Sequence, residues 1–184
     1  MKRILTIFAL LFSCFYTVAQ TTAETALFSR INAYRDTIGG SNNVKWDTLA
    51  YKASRHHAKY LSLVNTLTSN SYYTIGHTEG ANIDDFNELY DLNNRLKFFI
   101  PLAKDAGENV VGGIVSLTDS MLVNMFFKTW ITSKKGHKEI IENKTYKFGA
   151  CAISYSYVER KIKTSSGEKT IKTKIAYAVL VLYY

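Results

Sequence analysis

The stretch Ala176-Tyr-Ala-Val-Leu-Val-Leu-Tyr183 narrows most what this chain can fold into. Apolar residues fill its odd and even positions alike. A strand with one wet face alternates apolar and polar side chains, whereas a strand covered on both faces does not. The run therefore predicts a central strand with helices on each side. Residues 147–157 have a related character and contain the apolar segment Phe148-Gly-Ala-Cys-Ala-Ile-Ser154. There Cys151 reads as a buried, inert thiol, because nothing nearby would lower its pKa. Between these runs, Lys161-Ile-Lys-Thr, Ser165-Ser-Gly-Glu168 and Lys169-Thr-Ile-Lys read as a hairpin with a lysine-rich face. Lysines so placed bind anions or blunt an exposed strand edge.

Helical signals come earlier. Leu27, Ile31, Tyr34 and Ile38 recur at helical spacing over residues 22–38, and Gly39-Gly-Ser-Asn-Asn43 ends that helix. Val44-Lys-Trp46 is extended, and Asp47 suits the N-cap of a helix over 48–64 with Ala50, Ala53, His57 and Leu61 on its buried stripe. His57 reads as a hydrogen-bonded core histidine and His56 as solvated. Residues 65–75 read as a loop, 83–97 as a third helix stopped before Pro101, and 106–113 as a turn with short extended character. Leu122, Val123, Phe126, Phe127 and Trp130 form a broad apolar face of a helix over 120–132; a short turn of helix follows from His137. Helices first and strands last define an α+β chain.

A length of 184 residues suits one domain. Residues 1–20 read as a secretory signal, with Lys2-Arg3, an apolar run from Ile4 to Leu11 and the small-residue site Thr17-Val-Ala19. The domain is then 21–184, exported as a secreted, extracellular or periplasmic protein. Lipid anchoring at Cys14 is the alternative, on the motif Leu11-Phe-Ser-Cys14. No later segment has the roughly 18 uninterrupted apolar residues of an integral membrane helix. Removing the leader takes Lys2 and Arg3 from the 23 Lys+Arg and leaves 15 Asp+Glu, a net of about +6. That balance suits anionic partners such as acidic glycans or lipid head groups. Nucleic acid has only the lysine hairpin behind it and is not expected as a partner of an exported chain.

Three polar knots stand out: Gly76-His77-Thr78, Gly107-Glu108-Asn109, and Ser133-Lys-Lys-Gly-His137, where a helix breaks after Trp130. The expectation is that His77, Glu108 and His137 converge in one cleft. Two neutral imidazoles and a carboxylate bind zinc with an open fourth position, and a zinc-bound water ionises near neutral pH. The same groups also make a purely structural cluster in which His137 hydrogen-bonds Glu108. Ser133 with His137 and Glu108 nominally supplies nucleophile, base and orienter, but Gly-x-Ser-x-Gly and an identifiable oxyanion donor are missing.

In chain order the motifs are Asn32-x-x-Arg35, Val44-Lys-Trp46-Asp47-x-Leu49-Ala50, Ala53-x-x-His56-His57-Ala58-x-x-Leu61, Gly76-His77-Thr78, Gly107-Glu108-Asn109-Val110, Trp130-x-x-Ser133-x-x-Gly136-His137-x-x-Ile140-Ile141 and Phe148-Gly149. This series resembles the CAP superfamily, also called SCP-like: cysteine-rich secretory proteins, insect venom antigen 5 and plant pathogenesis-related 1 proteins. The bacterial secreted branch is the nearest likeness. The resemblance implies a three-layer α-β-α sandwich, its mainly antiparallel sheet flanked by helices around an open cleft. It implies cleft residues His77, Glu108 and His137, which in some members hold zinc or another divalent metal. Ser133 stands where animal members carry a second acid. The segment from 79 to 105 is long and is expected to act as a lid or wall. The function implied is a non-enzymatic extracellular binding module for a lipid, glycan or protein ligand; a metal-dependent, peptidase-like hydrolase using the same cleft is the alternative.

Overall fold

The strand Gly167–Tyr183 (β4) lies inside the sheet, as its two apolar faces require. Ile175 through Leu182 are all buried. Even-numbered Ala176, Ala178, Leu180 and Leu182 pack into one core, and odd-numbered Ile175, Tyr177, Val179 and Val181 into a second. The computed structural model describes residues 21–39, 43–67, 75–79, 89–115 and 118–184. The leader, Cys14 and most of the segment expected to begin the third helix lie outside the described residues.

β4 pairs antiparallel with Phe148–Thr164 (β3) on one side and with Ala106–Ile114 (β2) on the other. The two-residue strand Lys45–Trp46 (β1) joins β3 in parallel, so the sheet order is β1-β3-β4-β2. Helices Thr22–Thr37 (α1), Asp119–Ile131 (α4) and His137–Glu142 (α5) cover the first core. Thr48–Leu67 (α2) and Leu92–Phe99 (α3) cover the second. The α-β-α sandwich follows.

Local chemistry explains the boundaries. Thr21 and Glu24 cap α1 reciprocally as a capping box. Asp47 Oδ1 accepts from Ala50 N at 2.7 Å and starts α2, as the sequence indicates. α3 begins later than expected, at the N-cap Asp91, and stops just before Pro101. The segment read as a turn over 106–113 is instead nine-residue β2; Gly107, Gly112 and Gly113 mask it. Where a Cβ would sit on Gly113, Met125 Cε already stands, and on Gly107, Ile140 Cγ2 lies 2.7 Å away. These glycines let α4 and α5 press onto the sheet.

Two motif residues of α1 act as clamps. The Asn32 amide bonds both the N–H and the C=O of Val44, each at 2.9 Å. Buried Arg35 donates to the carbonyls of Ile141, Asn143 and Tyr146, tying α1 to the link between α5 and β3. Glu24, fully buried, accepts from Ile153 N at 2.8 Å and Tyr51 Oη at 3.1 Å, so the cap of α1 also satisfies the edge of β3.

Gly149 tests how tightly β3 and β4 mesh. A Cβ there would lie 2.5 Å from Leu182 Cδ2 and 2.6 Å from the Val181 carbonyl oxygen. Backbone cannot swing away as a side-chain tip can. Gly149→Ala is expected to lower stability by about 1–3 kcal/mol, read from urea unfolding; an unchanged midpoint would contradict the packing described.

Candidate functional site

β2 is an edge strand, and its successive side chains point to opposite faces. Glu108 enters the α2–α3 side, while Asn109 turns towards α5. The two polar knots on either side of the sheet thus meet over one strand edge. Asn109 Nδ2 donates to the His137 carbonyl at 2.8 Å and fixes the start of α5. Gly136 adopts φ 90°, a left-handed conformation that glycine tolerates, and this breaks the helix after α4. The break sets His137 Nδ1 3.0 Å from Ser133 Oγ. Trp130 is wholly buried behind them.

His77 Nδ1 lies 3.0 Å from Glu108 Oε1. The His77 and His137 rings stand 6.3 Å apart between centroids, so the expected convergence of His77, Glu108 and His137 is observed. His137 does not bond Glu108; its ring partner is Ser133. The His77 side chain is 51% exposed, whereas that of Glu108 is 1% exposed. An ionised carboxylate only accepts, so His77 Nδ1 carries the proton, and a neutral ring keeps its lone pair on the outward Nε2. The geometry makes Glu108 an orienter behind His77, as carboxylates behind metal-binding histidines are.

Two residues that sequence reasoning did not single out complete the site. Arg95, from α3, is fully buried; its Nη2 donates to Glu108 Oε1 at 2.8 Å and Oε2 at 2.7 Å. Its Nη1 reaches Glu79 Oε1 at 3.3 Å. Glu79, also fully buried, accepts from His57 Nδ1 at 2.9 Å and His56 Nε2 at 3.0 Å. His57 is a core histidine as expected; His56 is not solvated as expected, because Glu79 draws it inward. His57 Nε2 faces the Gly76 carbonyl at 2.7 Å, so the ring is held between that carbonyl and Glu79. The buried set therefore holds the Arg95 guanidinium against two carboxylates, with His56 and His57 on Glu79. Within the described part of the 79–105 segment, Glu79 and Arg95 make the contacts to the site.

Burial pushes the Glu79 carboxyl up, but hydrogen bonds from His56 and His57 and the Arg95 charge outweigh it and hold it below the usual value. Glu108 behaves alike: burial raises it, and His77, His57 and Arg95 together bring it lower. His137 is shifted down from 6.5, by burial first and then by His77 and Lys135, so it is neutral at pH 7. Burial, then Glu24, lifts the Cys151 thiol well above its ordinary range, and the group is inert as expected.

The arrangement limits the chemistry. Both Glu108 oxygens are engaged by Arg95, so a cation approaching them would have to displace a guanidinium. Among the described residues no group of three or more His, Cys, Asp or Glu side chains is arranged to hold a metal ion. Ser133 and His137 lie at nucleophile–base distance, but Glu108 serves His77 rather than His137. Ser133 Oγ also accepts from Lys135 N at 3.1 Å, as a helix-terminating hydroxyl does.

An α-β-α sandwich with polar motifs meeting over one sheet edge defines a CAP-like fold. In agreement, the chain is similar in structure to an extracellular protein containing an SCP domain from Bacillus anthracis str. Ames, with a TM-score of 0.51 and 14% sequence identity over 88% of this chain. The match covers 40% of that chain, so the present chain spans about two fifths of the length of that structure. No protein-family model and no curated protein sequence matches the chain. Among the described residues no helix is long and apolar enough to cross a membrane.

Two outcomes are expected from this network. Arg95→Met leaves two carboxylates buried without their guanidinium and should lower stability by about 3–5 kcal/mol, read from urea unfolding at pH 7. Because the folded pKa values of Glu79 and Glu108 lie below 4.5, their contribution is complete above that pH and is lost progressively as pH falls from there through the lower folded values. The urea midpoint of the unmodified protein should therefore drop below about pH 4.5, and Glu108→Gln should flatten that drop. An acid limb of unchanged steepness in Glu108→Gln would contradict the assignment.

Proposed function

We propose that this protein is a secreted, CAP-like binding module that is not an enzyme. It holds an extracellular lipid, glycan or protein ligand at the site formed by His77, Ser133 and His137. Glu108 acts from behind as the positioning residue for His77. The observation that carries this reading is the double engagement of Glu108 by Arg95 and His77. It spends the carboxylate on orientation and leaves imidazole groups as the outward-facing atoms. A neutral His137 and an oriented His77 supply hydrogen-bonding partners for carbonyl, hydroxyl or acidic groups of a ligand.

A divalent ion such as zinc belongs to the same reading in a minor role. Its ligands would be the imidazoles of His77 and His137, with Glu108 behind His77. Catalytic zinc sites carry about three protein ligands; two make a weaker site, which favours ligand bridging over the metal-dependent hydrolase. The support for an extracellular setting is the SCP-domain neighbour and the leader-like residues 1–20.

Calorimetric zinc titration is the direct test. Weak binding is expected in the unmodified protein, lost in both His77→Ala and His137→Ala, with no zinc-dependent cleavage of peptide or ester substrates. Lipid or glycan should be recovered by mass spectrometry from protein isolated from culture medium. Zinc retained in stoichiometric amount after dialysis, together with hydrolysis abolished in both histidine variants, would overturn the binding-module reading in favour of the hydrolase.

A further inference from the structure

Beyond Lys174 towards the turn, β4 has no other sheet partner than β3 among the described residues, because the β2 register ends at Ile114↔Ile175. β1 touches β3 only at Phe148 and Gly149. Residues 157–174 thus form the end of a two-stranded ribbon closed at Thr164↔Gly167, with Tyr155 at its base. These eighteen residues contain six lysine and arginine residues against two glutamates, a net of +4, half of the chain's formal +8.

The register sorts the ribbon. Directly opposed residues share a face, so Tyr155, Tyr157, Glu159, Lys161 and Lys163 of β3 lie with Lys174, Lys172, Thr170 and Glu168 of β4. Lysines two residues apart recur about every 6.6 Å along each strand. The Lys174 ammonium sits 4.1 Å from the centre of the Tyr155 ring and Lys172 5.1 Å from that of Tyr157. Tyr155 is 36% and Tyr157 52% exposed. Lysines that only blunt a strand edge would extend along it; these two are drawn back over the sheet face by cation–π attraction. The result is a face with two lysine–tyrosine pairs at its base and Lys161 and Lys163 towards the tip, four lysines against Glu159 and Glu168, a net of +2.

We propose that this face binds an acidic polysaccharide of the polyuronate type. Carboxylates spaced along such a strand meet the lysine rows, and sugar rings lie on the open tyrosine surface. A membrane is the poorer occupant. The tip, Thr164-Ser-Ser-Gly167, carries no apolar side chain to enter hydrocarbon, and no large aliphatic residue of the ribbon is exposed. The proposal rests on the extracellular reading for the class of partner, but it uses a surface and a probe separate from the histidine site. Either can therefore fail alone.

The test measures binding of a polygalacturonate oligosaccharide to the full chain at low ionic strength. Lys161→Gln/Lys163→Gln/Lys172→Gln/Lys174→Gln should weaken it by about thirtyfold. Removing as much charge elsewhere, with Lys45→Gln/Lys52→Gln/Lys59→Gln/Lys128→Gln, should weaken it by no more than about threefold. Tyr155→Ala/Tyr157→Ala keeps the charge and should still weaken it by about tenfold. Circular dichroism confirms folding of each variant. No binding by the unmodified protein, equal losses in the two lysine variants, or tighter lysine-dependent binding to phosphatidylserine vesicles than to the oligosaccharide would each overturn the assignment.

Discussion

The guanidinium of Arg95, wedged between Glu79 and Glu108 at one edge of the sheet, is the interaction on which the site depends. Two carboxylates taken from water within reach of one another repel and are poorly solvated. A cation with a planar fork satisfies both at once. The consequences spread along the chain. Glu79, held by Arg95, anchors His56 and His57 of α2. Glu108, held by Arg95, orients His77. α3 is brought onto the second core because its arginine cannot leave that pair unmatched. One buried charge set therefore joins α2, α3, β2 and the loop before Glu79.

The architecture was largely legible in the sequence because its strongest signal is also its strongest physical demand. The stretch 176–183, apolar at every position, has a single solution in a domain of this size. The helices α1, α2 and α4 follow from periodicity and caps. β2 was not legible as a strand, since three glycines within Gly107–Gly113 imitate a turn; pairing with β4 overrides their weak propensity. The ribbon was read as a separate hairpin because lysines interrupt the apolar pattern, whereas backbone pairing runs on unbroken to the turn.

The site was half legible. His77, Glu108, Ser133 and His137 do gather at the edge of β2. Arg95 and Glu79 escaped, for a physical reason. A buried ion pair joins residues far apart in sequence and leaves no local period. One sign was present: Arg95 lies three residues after Leu92 and four before Phe99, on the stripe where an apolar residue is expected. Several motif residues behind the resemblance, such as Asn32, Arg35, Trp130 and Gly149, turn out to be clamps and close packing.

β4 runs between β2 and β3, yet both are made before it. Until residues 167–183 are available, β2 has no strand partner and β3 has only the two residues of β1. A nascent chain therefore has helices to form early but no sheet to close on, and its long-range contacts come last. The sheet therefore closes in one late step rather than strand by strand, and a chain halted before residue 167 would keep its helices without a surface to cover.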